Sequence, residues 1–316
     1  MIRLLPCAIA ALTLCACDGG EPPCRADDEC NANQTCSDGA CVDVAEGEGE
    51  GEGEGEGEEG EGEGEGEGEG EGCRDDGDDS IQLDELPIAF NVPLSYKDAA
   101  SPTDEDLPVD VVGVVVDGER TWDFGAPLAG DGVTIVAAEP FDGRHWFDTE
   151  ADVVAADPDH TALLSSDTWG LFKQVGEDLQ LVGIASDAPD TTLVTYDPPI
   201  LLLRTPLTPG STWSSTSSGS GTFGGALYAS TDEYSSRVAE RGTVLVEGTP
   251  VPVWKIETTQ EVTTFVNFVG PFSFSFRQVI FLTPCIGTVA QVISADGADD
   301  FTFTQARSVR RLTFPE

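Results

Sequence analysis

Basic residues are scarce in this chain. Against 59 acidic side chains, its 316 residues include 15 lysines and arginines, for a formal net charge of -44 at pH 7. A field of that sign repels polyanions, so DNA and RNA are excluded as partners. Histidine is scarcer still: His145 in "DGRHWFD" and His160 in "DPDHT" are the only two, each beside turn residues. Past the leader, no segment supplies the eighteen or so apolar residues that a membrane-spanning helix needs. There is no GxSxG elbow, no HExxH pair and no Walker loop. "SSGSGTFGG" lacks the apolar strand that a nucleophile elbow follows, and it reads as a loop. These absences leave a hydrolase as the weakest reading and give the expectation of a non-enzyme without a cofactor.

What is present begins with "MIRLLPCAIAALTLCACDGG", in which Arg3 precedes an apolar run from Leu4 to Leu14 and small residues lead to a cysteine. That is secretory signal architecture, too short to cross a bilayer uncleaved. "LCAC", Leu14 to Cys17, resembles the bacterial lipobox, with Leu14 three places before the lipidated cysteine and Ala16 just before it. Cys15 fits less well, because Leu14 would then stand where a small residue is wanted. The resemblance implies a signal peptide over 1–16 and a mature N-terminus at Cys17. Its lipid would bring more acyl chains than the two signals that stable anchoring requires. The implied location is the cell envelope, with the outer membrane or cell surface favoured. Asp18 resembles an enterobacterial inner-membrane retention signal and keeps the inner membrane open.

Nine cysteines become six once Cys7 and Cys15 leave with the leader and Cys17 carries lipid. An even count fits an oxidised, extracytoplasmic protein. Cys24, Cys30, Cys36 and Cys41 crowd into "CRADDECNANQTCSDGACV", while Cys73 and Cys285 stand apart. The crowded segment, within 17–45, resembles the Dickkopf-N-like cysteine-rich repeat of secreted myxobacterial proteins: Asp28 and Glu29 precede the second cysteine, and Gly39 stands ahead of the last. The resemblance implies a disulfide knot and no particular activity. Zinc is disfavoured, since there is no CxxC pair and no histidine in the segment. Of the three pairings open to four cysteines, Cys24 with Cys36 and Cys30 with Cys41 is favoured. Cys73 and Cys285, the only cysteines outside the knot, are expected to pair with each other.

Residues 46–72 carry fourteen glutamates, no basic residue and Gly at nearly every other position. Such a segment has no side chains to bury and reads as a disordered spacer. A neutral Gly-rich chain of this length would average about 30 Å end to end. Repulsion between carboxylates two residues apart stretches it toward a ceiling of about 90 Å. Its role as read is to hold a globular domain off the membrane. Flexible, isolated carboxylates make a poor calcium site.

From residue 73 to 316 the reading is all-β. "TVLVE", "VPVWKIET", "EVTTFVNFV", "FSFSFRQVIFL", "IGTVAQVIS" and "FTFTQARSVRRLTF" follow one another across turns, an antiparallel meander. In "FSFSFRQVI", Phe272, Phe274, Phe276, Gln278 and Ile280 share one face, and Ser273, Ser275 and Arg277 share the other. Phe272, Phe274, Phe276 and Ile280 are the candidate apolar face. Between Pro87 and Arg204 the strand candidates are shorter ("VVGVVV", "VTIVA", "LQLVGIA", "ILLLR"), without helical periodicity. Acid concentrates there: residues 73–200 hold 28 acidic and 5 basic side chains, against 10 and 8 in 201–316, a contrast that allows two lobes with those bounds. "YDPPILLLRTPLTPGSTW", followed by paired strands and "CIGTVAQV", resembles uncharacterised bacterial lipoproteins and looks like the curved half-barrel sheets of envelope lipoprotein carriers. That resemblance implies a half-barrel or sandwich fold and only weakly a function.

Asp157, Asp159 and His160 offer metal ligands, but "DPDH" is first of all a turn. "CRDDGDDSIQLDE" offers Asp78 and Ser80 to calcium, yet Ile81 and Pro87 occupy places where an EF-hand wants Gly and Glu. Trp122, Trp146, Trp169, Trp213 and Trp254 fit a β core better than a sugar platform. The expectation is a lipid-anchored β domain that binds an apolar ligand in a sheet concavity or an envelope protein on its surface. Its competitor is a display lipoprotein without a pocket. A dry cavity above about 300 Å³ separates the first from the second, and a cleft setting His145 or His160 beside carboxylates would revive an enzyme.

Overall fold

The computed structural model describes residues 34–37, 40–43, 77–86, 93–101, 107–164, 167–189, 191–266 and 269–314. They fall into two units, one within Cys17–Gly70 and one within Glu71–Glu316. In the first, strands β1 (Gln34–Ser37) and β2 (Ala40–Asp43) form an antiparallel hairpin whose register sets Cys36 opposite Cys41. Cys17, Cys24, Cys30, the spacer over 46–72 and Cys73 lie outside the described residues.

The second unit is nearly all β. Its strands are β3 (Leu94–Ala100), β4 (Leu107–Pro108), β5 (Val114–Val116), β6 (Glu119–Asp123), β7 (Gly132–Val136) and β8 (Ala138–Pro140), then, after the six-residue helix α1 (Ala151–Ala156), β9 (His160–Leu163). Next come β10 (Thr168–Val175), β11 (Asp178–Ser186), β12 (Leu193–Arg204), β13 (Thr212–Phe223) and β14 (Ala226–Val246). β15 (Thr249–Val266), β16 (Val269–Thr283), β17 (Gly287–Ser294) and β18 (Gln305–Leu312) complete the set. Hydrogen bonding orders them β7-β3-β18-β17-β16-β15-β14-β13-β12-β11-β10-β9-β8. The two ends of that path, β7 and β8, are separated in the chain by Ala137 alone. The sheet therefore comes back to its own beginning as a nearly closed barrel. β12 pairs with β11 on one side and β13 on the other, so residues 73–200 and 201–316 build one sheet.

Long strands follow from long alternation. In β14, Tyr228, Ser230, Asp232, Tyr234, Ser236 and Val238 are buried and the residues between them exposed. The Ser-Gly run expected to be a loop belongs instead to β13, which continues to Phe223 and turns at Gly224-Gly225. Serine and glycine are poor strand formers alone, but here a ladder on each side, to β12 and to β14, satisfies the backbone. β16 likewise starts at Val269, ahead of "FSFSFRQVIFL", and Pro271 sits where the register with β15 shifts.

A bulge at Ala239, between pairs Val238↔Ile256 and Glu240↔Lys255, changes which face of β14 looks inward. Beyond it Val244 and Val246 join Val251, Val253, Val279, Phe281, Val289 and Val292 in an outer cluster. Trp122 and Phe124 cover this cluster, their rings 4.8 and 5.2 Å from that of Phe281. β6 reaches this place by pairing in parallel with β14 at Gly242, where a Cβ would stand 2.3 Å from the Arg120 carbonyl oxygen. Elsewhere outside, Phe147 and Val153 cover Leu171, Val182 and Ala185. Inside, one cluster gathers Phe172, Ile184, Val194, Tyr196, Tyr228, Tyr234 and Val262. A second closes one end of the barrel, where Ile81 and Leu86 pack on Trp213, Val238, Trp254, Ile256 and Leu282. Ile81 is bridged to Leu207, and Cys285, a disulfide-bonded residue, donates its backbone N–H to the Glu85 carbonyl at 2.7 Å.

Candidate ligand site in the barrel lumen

The face of β16 carrying Phe272, Phe274, Phe276, Gln278, Ile280 and Leu282 looks into the barrel, paired across to Thr264, Val262, Gln260, Thr258, Ile256 and Trp254 of β15. The four candidate residues differ along it. Phe272, at the open end, is 40% exposed; Phe274 is half-buried against Phe276, itself buried; Ile280 lines a cavity. Gln278 interrupts the apolar run between Phe276 and Ile280. The opposite face is polar only in its first half, since Val279 and Phe281 are buried under the outer cover.

The cavity, of about 230 Å³, lies between the inner cluster and the closed end. Leu94, Leu164, Phe172, Leu202, Ile280 and Leu282 give it apolar walls. Much of its polar lining is committed to partners. Ser236 and Thr258 share a hydrogen bond of 2.9 Å, and Tyr96 donates to the Thr288 carbonyl at 3.0 Å. Arg310 donates to both Asp98 oxygens, at 2.9 and 3.2 Å, and to the Leu164 carbonyl at 2.7 Å. Asp98 lies on β3 and Leu164 just past β9, so this one guanidinium ties the two sides of the seam. Its Cζ lies 5.1 Å from the centre of the Tyr96 ring, and burial pushes the Tyr96 phenol up to about 12, with Arg310 opposing the shift. Breaking one partner of such a pair leaves an uncompensated buried charge.

One layer further from the closed end stands Asp232, 1% exposed. Ser230 donates to its Oδ2 at 2.5 Å, while Oδ1 has no hydrogen-bond partner. Burial pushes this carboxyl up to about 6, against the Ser230 bond that favours the charged form. Tyr196 and Tyr234 are held well above the ordinary phenol range, by burial first and then by the Asp232 charge. Burial also raises Tyr228, to about 12, with the Ser230 and Thr264 hydroxyls opposing the shift, and its phenol oxygen has no partner in hydrogen-bonding geometry. Gln260 donates to the Tyr234 oxygen at 2.7 Å. None of Asp98, Arg310, Asp232 or the three tyrosines stands out in the sequence; the period-two run Tyr228, Ser230, Asp232, Tyr234 was the available signal.

Compared with family models, with curated proteins and with solved structures, the chain finds no match. The lumen is therefore read from its own chemistry.

Of the remaining candidates, Trp213 and Trp254 belong to the closed end of the barrel, and His160 stands on β9 opposite Phe172. His145 stacks on Phe147 at 5.0 Å and packs against Trp169 at 4.3 Å, with its Nε2 3.8 Å from Glu139. Its backbone N–H donates to Asp148 at 2.9 Å. A histidine does stand beside carboxylates here, but neither His145 nor His160 lines the lumen cavity or the two larger outer clefts. Asp157 pairs with Lys173 at 3.0 Å, and Asp159 accepts from the Gln174 backbone at 2.7 Å, so the "DPDH" acids serve a turn. Asp78 accepts the Ser80 N–H and hydroxyl. Among the described residues no three His, Cys, Asp or Glu side chains are grouped to hold a metal. Trp122, Trp213 and Trp254 are buried, and Trp146 and Trp169 donate to the Ser186 carbonyl and to Asp187. A larger cleft of about 540 Å³ runs outside between β6 and β14, but its Arg120 and Glu240 already pair at 3.4 Å. A third opening of about 250 Å³ lies beside Phe124 and Arg311.

Proposed function

We propose that this is a lipid-anchored protein of the cell envelope whose barrel lumen holds a small, largely apolar molecule. In this reading Cys17 carries the lipid, the knot and the acidic spacer set the barrel away from the membrane, and Cys73 pairs with Cys285. It acts by binding and not by catalysis. The observation that carries the reading is the cavity of about 230 Å³, walled by Leu, Phe and Ile from strands all around the barrel. That volume exceeds the roughly 150 Å³ of an engineered apolar cavity that stays dry and binds benzene. It falls short of the roughly 300 Å³ that separates a ligand carrier from a display protein, so the reading rests on the apolar character of the walls and is confined to small molecules. A single ring or a short aliphatic chain fits; a long acyl chain does not fit without expansion.

The test is thermal unfolding of the full chain with toluene and with hexane, alongside organic extraction and mass spectrometry of the purified protein. Either probe should raise the unfolding midpoint, and Ile280→Trp, which fills the cavity, should abolish that rise while the fold persists. No shift with either probe and no extracted molecule would retire the reading. In its place would stand a display lipoprotein whose barrel only presents a surface, which the modest volume of the cavity favours.

A further inference from the structure

We propose that Asp232, together with Tyr196, Tyr228 and Tyr234, forms a second site in the lumen that takes the ammonium group of a small organic amine. This goes beyond the apolar cavity, which Asp232 does not line. Tyr228, Asp232 and Tyr234 project from one face of β14. Tyr196 reaches the same layer from β12 across Gly219, where an added Cβ would stand 3.0 Å from the Tyr196 ring and 2.5 Å from the Ser230 hydroxyl. Glycine is thus what lets the ring lie beside the Ser230–Asp232 pair.

A carboxylate at 1% exposure carries a large desolvation cost unless a cation or a full set of donors meets it. Asp232 has one donor, Ser230, an open Oδ1, and no ion-pair partner among the described residues. Its cross-strand neighbours Ser217 and Val262 bring no charge, and Ser217 spends its hydroxyl on the Pro198 carbonyl at 2.5 Å. What the surroundings do offer is phenol rings and hydroxyls. Ring faces attract a cation by their quadrupole, and a desolvated site strengthens that attraction. One carboxylate oxygen suits one N–H donor of a singly charged group. A divalent metal would want further acids or histidines, and none is grouped with Asp232 among the described residues. The Tyr228 phenol, without a formed bond, is a further polar contact for the same headgroup.

The experiment is calorimetric titration of the full chain with n-butylammonium chloride, n-butanol, and sodium chloride at matched ionic strength. Butylammonium should bind about tenfold or more tightly than butanol, the worth of one charge-assisted hydrogen bond in a dry site. Sodium chloride should give no saturable heat. Asp232→Asn should erase the preference, and Tyr228→Phe, which keeps the ring, should retain it. Equal binding of butylammonium and butanol overturns the proposal, as does an isotherm unchanged by Asp232→Asn. Sodium binding as strong as that of butylammonium also overturns it. The comparison of the two organic probes on the unsubstituted chain decides by itself if Asp232→Asn does not fold.

Discussion

The two faces of the barrel wall are built differently. Outside, around Phe281, the side chains of Trp122, Val244, Val279, Val289 and Val292 are all at 0% exposure, and the charged groups among them, Lys255 and Glu257, are buried and paired with each other at 3.1 Å. Inside, on the same strands, Gln278, Thr258, Ser236 and the Arg310–Asp98 pair interrupt the apolar surface, and space is left over. An antiparallel sheet can stand with one face packed and the other left to polar groups and water. With the outer cover supplying it, the inner face is free to carry polar groups and a cavity, at some cost in stability.

Four single substitutions and one double replacement test that contrast. Trp122→Ala should be the most damaging, costing about 3 to 5 kcal/mol in denaturant unfolding, because a fully enclosed ring leaves a hole that neighbours on a sheet cannot fill. Arg310→Ala should come close, at about 3 to 5 kcal/mol, since Asp98 would remain buried without its partner. Replacing both members together, Asp98→Asn with Arg310→Met, should recover part of that loss.

Asp232→Asn should work in the opposite direction. The Asp232 carboxyl titrates at about 6 in the folded barrel against 3.8 as the ordinary value. The stability linked to its proton is fully present below about pH 4 and is lost as pH rises through about 6. A displacement of that size is worth about 3 kcal/mol, so the asparagine variant should be up to about that much more stable at pH 8 and equal at pH 4. Asp142, Glu247 and Asp300 are held below the usual carboxylate range by hydrogen bonds, chiefly from Arg144, Lys97 and Thr302. They act in the opposite sense at acid pH and are common to both proteins, so the difference isolates Asp232. The smallest effect belongs to Ile280→Ala, about 2 kcal/mol, because its side chain already borders empty space. A loss as large as that of Trp122→Ala would mean that the inner face is packed core after all.

Much of the wall was legible. The alternation in "FSFSFRQVI" places Phe272 to Ile280 on one face, and they do share the inward face. What alternation cannot report is a second cover. Val279 and Phe281 look like the wet side of a strand until Trp122 arrives from far earlier in the chain, as two segments pair in parallel. Closure was equally hidden. β7 and β8 are five and three residues long, and the two ends of the sheet come together only because β18 returns to β3 and β3 to β7. Local propensity misleads at the Ser-Gly stretch of β13, where the ladder on both sides overrides it. Asp232 was illegible for another reason. In "STDEYSS" the acid pair Asp232-Glu233 straddles the two faces, and pattern alone does not say that the barrel would keep the aspartate and expose the glutamate.

If the inner face leaves a space that takes a ligand while the outer face does not, a small apolar probe must distinguish them. Methyl-resolved NMR of the full chain titrated with toluene makes that distinction residue by residue. The methyl groups of Ile280, Leu94, Leu164 and Leu202 should shift and saturate together, with those of Val244, Val279 and Val289 unmoved. Shifts at the outer valines, or none at the inner four, would contradict it.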